Sequence, residues 1–253
     1  MPRLMLTDNA WKLISSIMSF TGRTYQKKQH RMTVEGILYR LRTGIPWRDL
    51  PADFGLWNSV FRRFNLWSKK GILTAVFNII TKDPDMDWLF IDGSIVRAHQ
   101  HSTGAATDNH ESIGKSRGGN STKIHLAVDS GGLPVYFELS GGQVHDIVHA
   151  ESLVANSPEA KTIVADKGYD SQNLRDFIEK KGAKVEIPRR KNSKQGNEDM
   201  DWALYKYRHL VENAFGIIKN NRAIATRYDK LERNYNSMVA LAFSLMWIPI
   251  WVD

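Results

Sequence analysis

Apolar residues recur at helical spacing throughout the first third of the chain. Four stretches show this period: TDNAWKLISSIMSF, MTVEGILYRLRTGI, LWNSVFRRFNLWSKKGI and LTAVFNIITK. In the second stretch, Thr33 is a candidate N-cap and Gly44 a candidate helix end. A polar run that contains Pro84 then breaks the pattern. We therefore predict a small all-helical domain over residues 1–82, followed by a linker over residues 83–87.

The third of these helices has a basic outer face. Asn58, Arg62 and Arg63 fall outside its apolar stripe. A basic last-but-one helix among three or four short helices is typical of helix-turn-helix-like DNA-binding units, so these three residues are candidate DNA contacts. A plain helical bundle with a solvated basic face would give the same pattern.

From Trp88 onward the pattern indicates strands as well as helices. WLFIDGSIVRA is typical of one strand, and STKIHLAVDSGGLPVYFELSGG of two strands joined by a tight turn. The whole predicted order is β-β-β-α-β-α-β-α, with an antiparallel start and parallel crossovers, which is the order of the ribonuclease-H-like fold. We therefore predict an α/β catalytic domain of that fold over residues 88–253, with a mixed sheet and helices on both faces.

Four polar residues interrupt the apolar pattern of the helix predicted at residues 205–222, YKYRHLVENAFGIIKNNR. At 100° per residue, Tyr205, Arg208, Glu212 and Lys219 fall on one narrow line beside the apolar stripe. Arg208 and Glu212 are four residues apart, so an ordinary surface ion pair would explain two of them. Lys219 lies nearly two turns beyond Glu212, which is too far for such a pair. This helix alone leaves open whether the four residues share a function.

Two acidic residues occupy predicted strands, where an ionised side chain is costly to bury. Asp92 lies inside LFIDGSIV, and Asp166 ends TIVAD. The first and fourth strands are neighbours in the predicted sheet, so the two acids can approach each other while Glu212 comes from the last helix. Carboxylates without basic partners repel, and a divalent cation, Mg²⁺ or Mn²⁺, relieves that conflict. Alternatively, Asp92 caps a turn and Asp166 is an ordinary strand-end residue.

Other candidate ligands have simpler explanations. Asp129 stands in DSGG, where we expect a turn role. His99, His101 and His110 match no strong zinc-site spacing.

The net charge of +8 is unevenly distributed. Residues 1–82 hold 14 Lys and Arg against 4 Asp and Glu, whereas residues 83–253 hold 21 against 23. This asymmetry predicts a basic module that meets phosphates, joined to a module whose acids have another role.

Neither a disulfide nor a membrane span is expected. The chain has no cysteine, and its first residues lack the uninterrupted apolar core of a signal peptide. The most apolar run, SMVALAFSLMWIPIWVD, is short and contains Pro249, so we predict a buried C-terminal helix. We expect a cytoplasmic protein with no membrane partner.

Three motifs resemble those of the DDE transposases of bacterial insertion sequences: FIDGS, VADKGYDS and YKYRHLVENAFGIIK. The last contains Tyr205-x2-Arg208-x3-Glu212-x6-Lys219, similar to the signature of the insertion-sequence-four/five assemblage. GILYRLRTGIPWRDLPADFGLWNSVFRRFNLWSKKGI and GGQVHDI are similar to its insertion-sequence-five-type group. The resemblance keeps the motif order over nearly the whole chain. It departs before Trp57, where a Pro is expected, and this affects no catalytic residue.

The resemblance implies a transposase that binds the terminal inverted repeats of a mobile element and cuts and rejoins double-stranded DNA there and at a target. The residues implied are Asp92, Asp166 and Glu212 for catalysis and for two Mg²⁺ or Mn²⁺ ions, and Tyr205, Arg208 and Lys219 for transposon-end DNA. Two ends must be brought together, which implies a homodimer or a larger synaptic complex. Action on DNA further implies association with the nucleoid.

Two other functions share parts of this pattern. A metal-dependent nuclease of the same fold would have the same metal site but would not join strands. A DNA-binding regulator would have no need for Asp92 inside an apolar strand.

Overall fold

The computed structural model of the chain describes residues 3–20, 29–81, 83–105, 111–191, 193 and 195–252, with no side-chain description for residues 250–252. The chain forms two compact units. The helical unit contains residues 1–82, 97–111 and 218–253, and the sheet unit contains residues 83–96 and 112–217.

The helical unit begins with four helices, as predicted. They are α1 (Asp8–Phe20), α2 (His30–Thr43), α3 (Trp57–Lys69) and α4 (Ile72–Ile80). Gly44 ends α2 in the left-handed conformation, with φ of 69°, as its sequence position predicts. The predicted start of α2 is wrong. Thr33 does not cap this helix, because its amide already donates to the Gln29 carbonyl inside the first turn.

The C-terminal segment completes the helical unit with α9 (Arg222–Ala225), β7 (Thr226–Arg227) and α10 (Glu232–Val252). The prediction of a buried C-terminal helix is confirmed, because most of α10 is shielded from solvent against α3 and α4. Packing therefore groups residues 218–253 with the N-terminal helices, whereas the division predicted along the chain placed them with the catalytic domain.

A buried ion pair fixes the C-terminal segment of this unit to α2. Arg40 on α2 lies 3.1 Å from the carboxylate of Asp229, and both side chains are nearly inaccessible to solvent. Buried charges need such pairing, because each alone would be costly to remove from water.

The sheet unit contains the predicted alternation of strands and helices. Its elements are β1 (Trp88–Ala98), β2 (Gly114–Ser116), β3 (Gly119–Val128), β4 (Pro134–Gly141), α5 (Ile147–Asn156), β5 (Thr162–Val164), α6 (Gln172–Lys180), β6 (Lys184–Glu186), α7 (Trp202–Tyr205) and α8 (His209–Lys219), and the last two residues of β1 and of α8 belong to the helical unit. Apart from the short strand β2, this order of elements is the predicted one, and the mixed α/β class is confirmed.

The sheet is mixed. Among the described residues its strand order is β2-β3-β1-β5-β6, β4 pairs with β3, and β7 pairs with the last residues of β1. β3 and β4 are antiparallel, whereas β1, β5 and β6 run parallel. The prediction that the strand with Asp92 lies beside the strand before Asp166 is thus confirmed, since β1 pairs with β5. The turn role of Asp129 is confirmed as well, because its carboxylate accepts the amides of Gly131 and Leu133.

The predicted helix at residues 205–222 is divided. A 3-10 turn over Lys206–Arg208 separates α7 from α8, and α8 ends at Lys219. The apolar stripe is nevertheless buried as predicted, at Leu204, Val211, Phe215 and Ile218. In the part of the chain that the structure describes, every helix is too short or too polar to cross a membrane.

Candidate active site

Asp92, within β1, and Asp166, just after β5, hold equivalent positions relative to these two paired strands. Phe90 of β1 is aligned with Val164 of β5 in the parallel register. Each acid follows its aligned residue by two positions, so the register brings the two carboxylates to the same end of the strand pair. β1 continues past Asp92 to Ala98, whereas β5 ends before Asp166. The sequence-based expectation that these two acids approach each other follows directly from this pairing.

Asp92 is an acid that the fold keeps largely out of water. Its side chain is 19% exposed, and one carboxylate oxygen accepts the Gly93 amide at 2.8 Å. Burial raises the pKa of Asp92 to about 6, and the negative charges of Asp166 and Asp146 act in the same direction. The Gly93 amide and Arg208 oppose this rise without cancelling it. Asp92 sits inside a strand, so the alternative that it caps a turn is wrong.

Asp166 stands at the entry to a 3-10 turn. Its carboxylate accepts the amide of Gly168 at 2.6 Å, in the turn Lys167–Tyr169. This contact fixes the carboxylate next to the strand end.

Arg208 joins two of the predicted catalytic acids. One guanidinium nitrogen lies 3.1 Å from Asp92, and another contacts Glu212 at the start of α8. Burial lowers the pKa of Arg208, but the charges of Asp92 and Glu212 outweigh it and the net direction is upward. The expectation that the acids lack a basic partner is therefore wrong. The predicted ion pair between Arg208 and Glu212 is present, and the same guanidinium also forms an ion pair with Asp92.

Glu212 faces solvent more than the two strand acids do, with 51% of its side chain exposed. Among the residues that the structure describes, no three His, Asp or Glu side chains have an arrangement that could hold a metal ion. In this arrangement the guanidinium of Arg208 contacts both Asp92 and Glu212.

Tyr205, the last residue of α7, and Lys219, the last residue of α8, are half-buried. Burial raises the pKa of Tyr205, and the Arg208 charge opposes it. Burial also lowers the pKa of Lys219. The 3-10 turn lies between Tyr205 and α8, so Tyr205 does not belong to the same regular helix as Glu212 and Lys219.

Sequence reasoning singled out neither Asp146 before α5 nor Tyr169 in the turn after Asp166. The negative charge of Asp146 raises the pKa of Asp92, and the charges of Asp92 and Asp166 raise the pKa of Tyr169. Asp146 is in GGQVHDI and Tyr169 in VADKGYDS, so both lie in motifs that the resemblance already contained. These long-range effects of charge are invisible in a single sequence.

The predicted N-terminal DNA contacts lie on α3. Asn58 and Arg62 are exposed, whereas Arg63 is partly covered and its guanidinium lies 5.9 Å from the Trp67 ring centre. A basic, solvent-facing side of α3 is therefore present at Arg62.

The histidines give no support for a zinc site. His99 stacks on His101 at 4.8 Å between ring centres and on Tyr228 at 4.6 Å. His110 lies outside the described residues.

Two family models match the chain. The model described as "Transposase DDE domain" matches residues 83–247, and the one described as "Putative transposase of IS4/5 family" matches residues 6–77. The first match covers more than half of the chain and contains Asp92, Asp166 and Glu212.

Two curated relatives each align with half of the chain. A putative transposase for insertion sequence element IS6501 from Brucella ovis is 33% identical over 130 residues, which is 50% of this chain and 98% of that protein. An uncharacterized protein, y4sN, from Sinorhizobium fredii is 30% identical over 128 residues, again 50% of this chain and 96% of the relative.

The similar solved structures are distant. A piggyBac transposase synaptic complex with hairpin DNA has a TM-score of 0.42 and 13% identity, and the match covers 72% of this chain and 48% of that one. The chain thus spans about half of the piggyBac protein. A pre-cleavage Mos1 transpososome has a TM-score of 0.29 and 11% identity, with 91% of this chain and 81% of that one covered.

Proposed function

This chain belongs to the DDE transposases of the IS4/5 type, and from that membership we propose that it binds the terminal inverted repeats of an insertion sequence and catalyses DNA strand cleavage and strand transfer there. In this reaction a water molecule or a DNA 3′-hydroxyl attacks a phosphodiester and displaces the oxygen of the broken strand. No covalent protein intermediate is needed.

One observation carries the proposal. Asp92 in β1 and Asp166 just after β5 hold equivalent positions relative to these two paired parallel strands, and Arg208, in the 3-10 turn before α8, contacts both Asp92 and Glu212. Arg208 thus joins the acids of the first and third motifs, although 120 positions of chain separate them.

These carboxylates suit a hard divalent cation such as Mg²⁺ or Mn²⁺ by their oxygen chemistry. Asp92 supports this assignment because the fold buries it beside other acids, which costs free energy unless a cation compensates. Two ions bound by Asp92, Asp166 and Glu212 would activate water or a 3′-hydroxyl for in-line attack and stabilise the departing oxygen.

Arg208 has two tasks in this scheme. In the metal-free protein it neutralises Asp92 and Glu212. Once these carboxylates bind cations, Arg208 can donate to a DNA phosphate instead, as guanidinium groups commonly do. Tyr205 and Lys219 would contribute further contacts to the transposon end.

The N-terminal helices would supply phosphate contacts to the terminal repeats through Asn58, Arg62 and Arg63. The excess of basic residues in this third supports that assignment. Synapsis of two ends would require a homodimer or a larger assembly.

The test uses the full chain, a linear DNA that carries the inverted repeats flanking its reading frame, and a supercoiled target plasmid with Mg²⁺. We expect repeat-dependent nicking and joining of repeat ends to the plasmid. Cut ends without joints would instead identify a nuclease of the same fold. Binding without cleavage in either Mg²⁺ or Mn²⁺ would identify a DNA-binding regulator.

A further inference from the structure

A run of three basic residues, 189–191 (RRK), follows strand β6. β5 and β6 are parallel, and Val164 is aligned with Glu186. Asp166 comes two positions after Val164, and the basic run begins three positions after Glu186. Parallel neighbours deliver the segments that follow them to the same edge of a sheet, so the basic run and Asp166 share one edge.

The side chain of Arg190, in the middle of this run, is fixed on the turn that holds Asp166. Its Nε atom donates to the Lys167 carbonyl at 3.4 Å, and a second guanidinium nitrogen donates to the Gly168 carbonyl at 3.2 Å. The amide of Gly168 is also the one that the Asp166 carboxylate accepts. Arg190 and Asp166 are therefore hydrogen-bonded to the same residue of one short turn.

The positive charge of Arg190 is available to a ligand. Its side chain is exposed, its printed acceptors are neutral carbonyls, and it forms no ion pair with any residue that the structure describes. Asp170 accepts the Arg190 amide at 2.8 Å, but its carboxylate is already paired with the buried guanidinium of Arg175 at 2.9 Å. A guanidinium has five N–H donors, so the two bonds to carbonyls leave three for another acceptor.

Further basic side chains lie in the same two segments. Lys167 and Lys191 are exposed, and Arg189 is partly exposed. Clustered positive side chains on one edge attract a polyanion, and phosphates are the groups that guanidinium donors match best. This edge therefore suits the backbone of a nucleic acid that approaches Asp166.

We propose that Arg190 is a DNA-contacting residue of the catalytic site, and that it binds a backbone phosphate of the transposon-end strand near the phosphate that is cleaved. This inference rests on the proposed function, because it adds a contact to the same site. Arg190 acts from the β6 side of Asp166, whereas Arg208 acts from the turn before α8. Because the two carbonyls already hold the guanidinium, little side-chain freedom is lost when a phosphate binds.

The first test measures the affinity of the full chain for end DNA over a range of salt concentrations, in EDTA so that no strand is cut. Arg190→Gln should bind several-fold more weakly at low salt. The slope of the logarithm of affinity against the logarithm of salt concentration should decrease by about 1. Arg190→Lys keeps the charge and should keep the wild-type slope. Melting temperatures of each variant establish that the chain is folded.

Lys180→Gln is the matched control for this test. It removes an equal charge from an exposed position of the sheet unit. α6 connects β5 to β6, which are parallel, so its last residue, Lys180, lies at the opposite edge of the sheet from Arg190. Lys180→Gln should therefore keep the wild-type slope.

The second test locates the contact on the DNA. The chain has no cysteine, so Lys191→Cys provides a single attachment point for a photoactivatable cross-linker. Each nucleotide advances about 3.4 Å along a strand, so the cross-link should fall within about five nucleotides of the cleaved bond of the end DNA. Lys180→Cys with the same cross-linker should not label that region. Cross-links only to distant end DNA, or only to the target plasmid, would overturn the inference.

A role confined to the turn predicts a different result. Arg190→Gln would then bind end DNA with wild-type affinity and slope and would only cleave more slowly, which would overturn the inference. The wild type tests the proposed function separately. If it binds and cleaves repeat-bearing DNA while Arg190→Gln binds as Lys180→Gln does, only the role of Arg190 is wrong. If the wild type neither prefers nor cleaves repeat-bearing DNA, the proposed function itself fails.

Discussion

The guanidinium of Arg208 lies 3.1 Å from the carboxylate of Asp92, across 116 positions of sequence. The same guanidinium contacts Glu212. A single positive side chain, in the 3-10 turn before α8, thus neutralises one acid of the sheet and one of α8. The contact gives these two proposed catalytic acids a positive partner in the metal-free protein, and a cation that binds them would compete with Arg208.

Asp92→Asn should abolish DNA cleavage and stabilise the metal-free protein at neutral pH. The folded-state pKa of Asp92 is about 6, above its ordinary value of 3.8, so its ionisation disfavours the fold. The contribution of Asp92 to the free energy of unfolding is therefore fully present below about pH 4 and is lost as the pH rises through about 6. This difference between the folded and ordinary pKa values of Asp92 corresponds to at most about 3 kcal/mol in the free energy of unfolding.

Thermal melts in EDTA at pH 4 and pH 7.5 measure this effect. The melting temperature of Asp92→Asn relative to wild type should increase between the two values of pH, by roughly 5 °C. Asp176→Asn, which alters an exposed acid on α6, should show no such pH-dependent difference. If the melting temperature of Asp92→Asn relative to wild type were the same at pH 4 and pH 7.5, ionisation of Asp92 would not destabilise the folded protein.

Replacing Arg208 by Met should separate cation binding from catalysis. The variant removes the positive charge that occupies Asp92 and Glu212, so Mn²⁺ should bind at least as tightly as to wild type. Cleavage should nevertheless fall by at least tenfold, because the phosphate contact is lost. Calorimetry and end-cleavage rates are the two measurements. Weaker Mn²⁺ binding in Arg208→Met would show that Arg208 supports the cation instead of competing with it.

Lys219→Met tests the DNA role of the lysine at the end of α8. Lys219 is half-buried, so methionine preserves the packing of its stem while it removes the charge. Affinity for transposon-end DNA should fall several-fold at low salt, and the deficit should shrink as salt rises. Glu212→Gln is the contrasting variant, with DNA binding kept and cleavage lost. Wild-type DNA affinity for Lys219→Met at all salt concentrations would leave Lys219 as a packing residue.

Arg62→Gln tests the basic face of α3 in the full chain. Truncation to residues 1–82 is unsuitable, because α10 covers α3 and α4 within the helical unit. If Arg62 contacts phosphate, the slope of the logarithm of affinity against the logarithm of salt concentration should decrease by about 1. Lys161→Gln removes an equal charge at an exposed position of the sheet unit. Equal slopes for the two variants would mean that α3 is not a DNA-binding surface.

The local features of this fold could be predicted from sequence because local physics determines them. Gly44 ends a helix through its left-handed conformation, and the Asp129 turn follows from its own carboxylate. The pairing of the strands beside Asp92 and Asp166 is not local, and it was predicted from the order of elements that is typical of one fold.

Features that depend on long-range packing could not be predicted in this way. The reach of Arg208 to Asp92 and the position of Asp146 against Gly93 each join segments far apart in the chain. The helices against which α10 packs could not be predicted either. The apolar pattern of a helix predicts that it is buried, but not which helices cover it. The 3-10 turn before α8 was also missed, because the prediction assumed a regular α-helix with 100° per residue over residues 205–222.

The central claim is that Asp92 and Asp166 hold a divalent cation that DNA cleavage requires. Mn²⁺ calorimetry combined with end-DNA cleavage on wild type, Asp166→Asn and the control Asp176→Asn tests it most directly. We predict that Asp166→Asn folds and binds end DNA, loses at least tenfold in Mn²⁺ affinity and does not cleave, while Asp176→Asn matches wild type. Wild-type Mn²⁺ affinity together with wild-type cleavage by Asp166→Asn would contradict the claim.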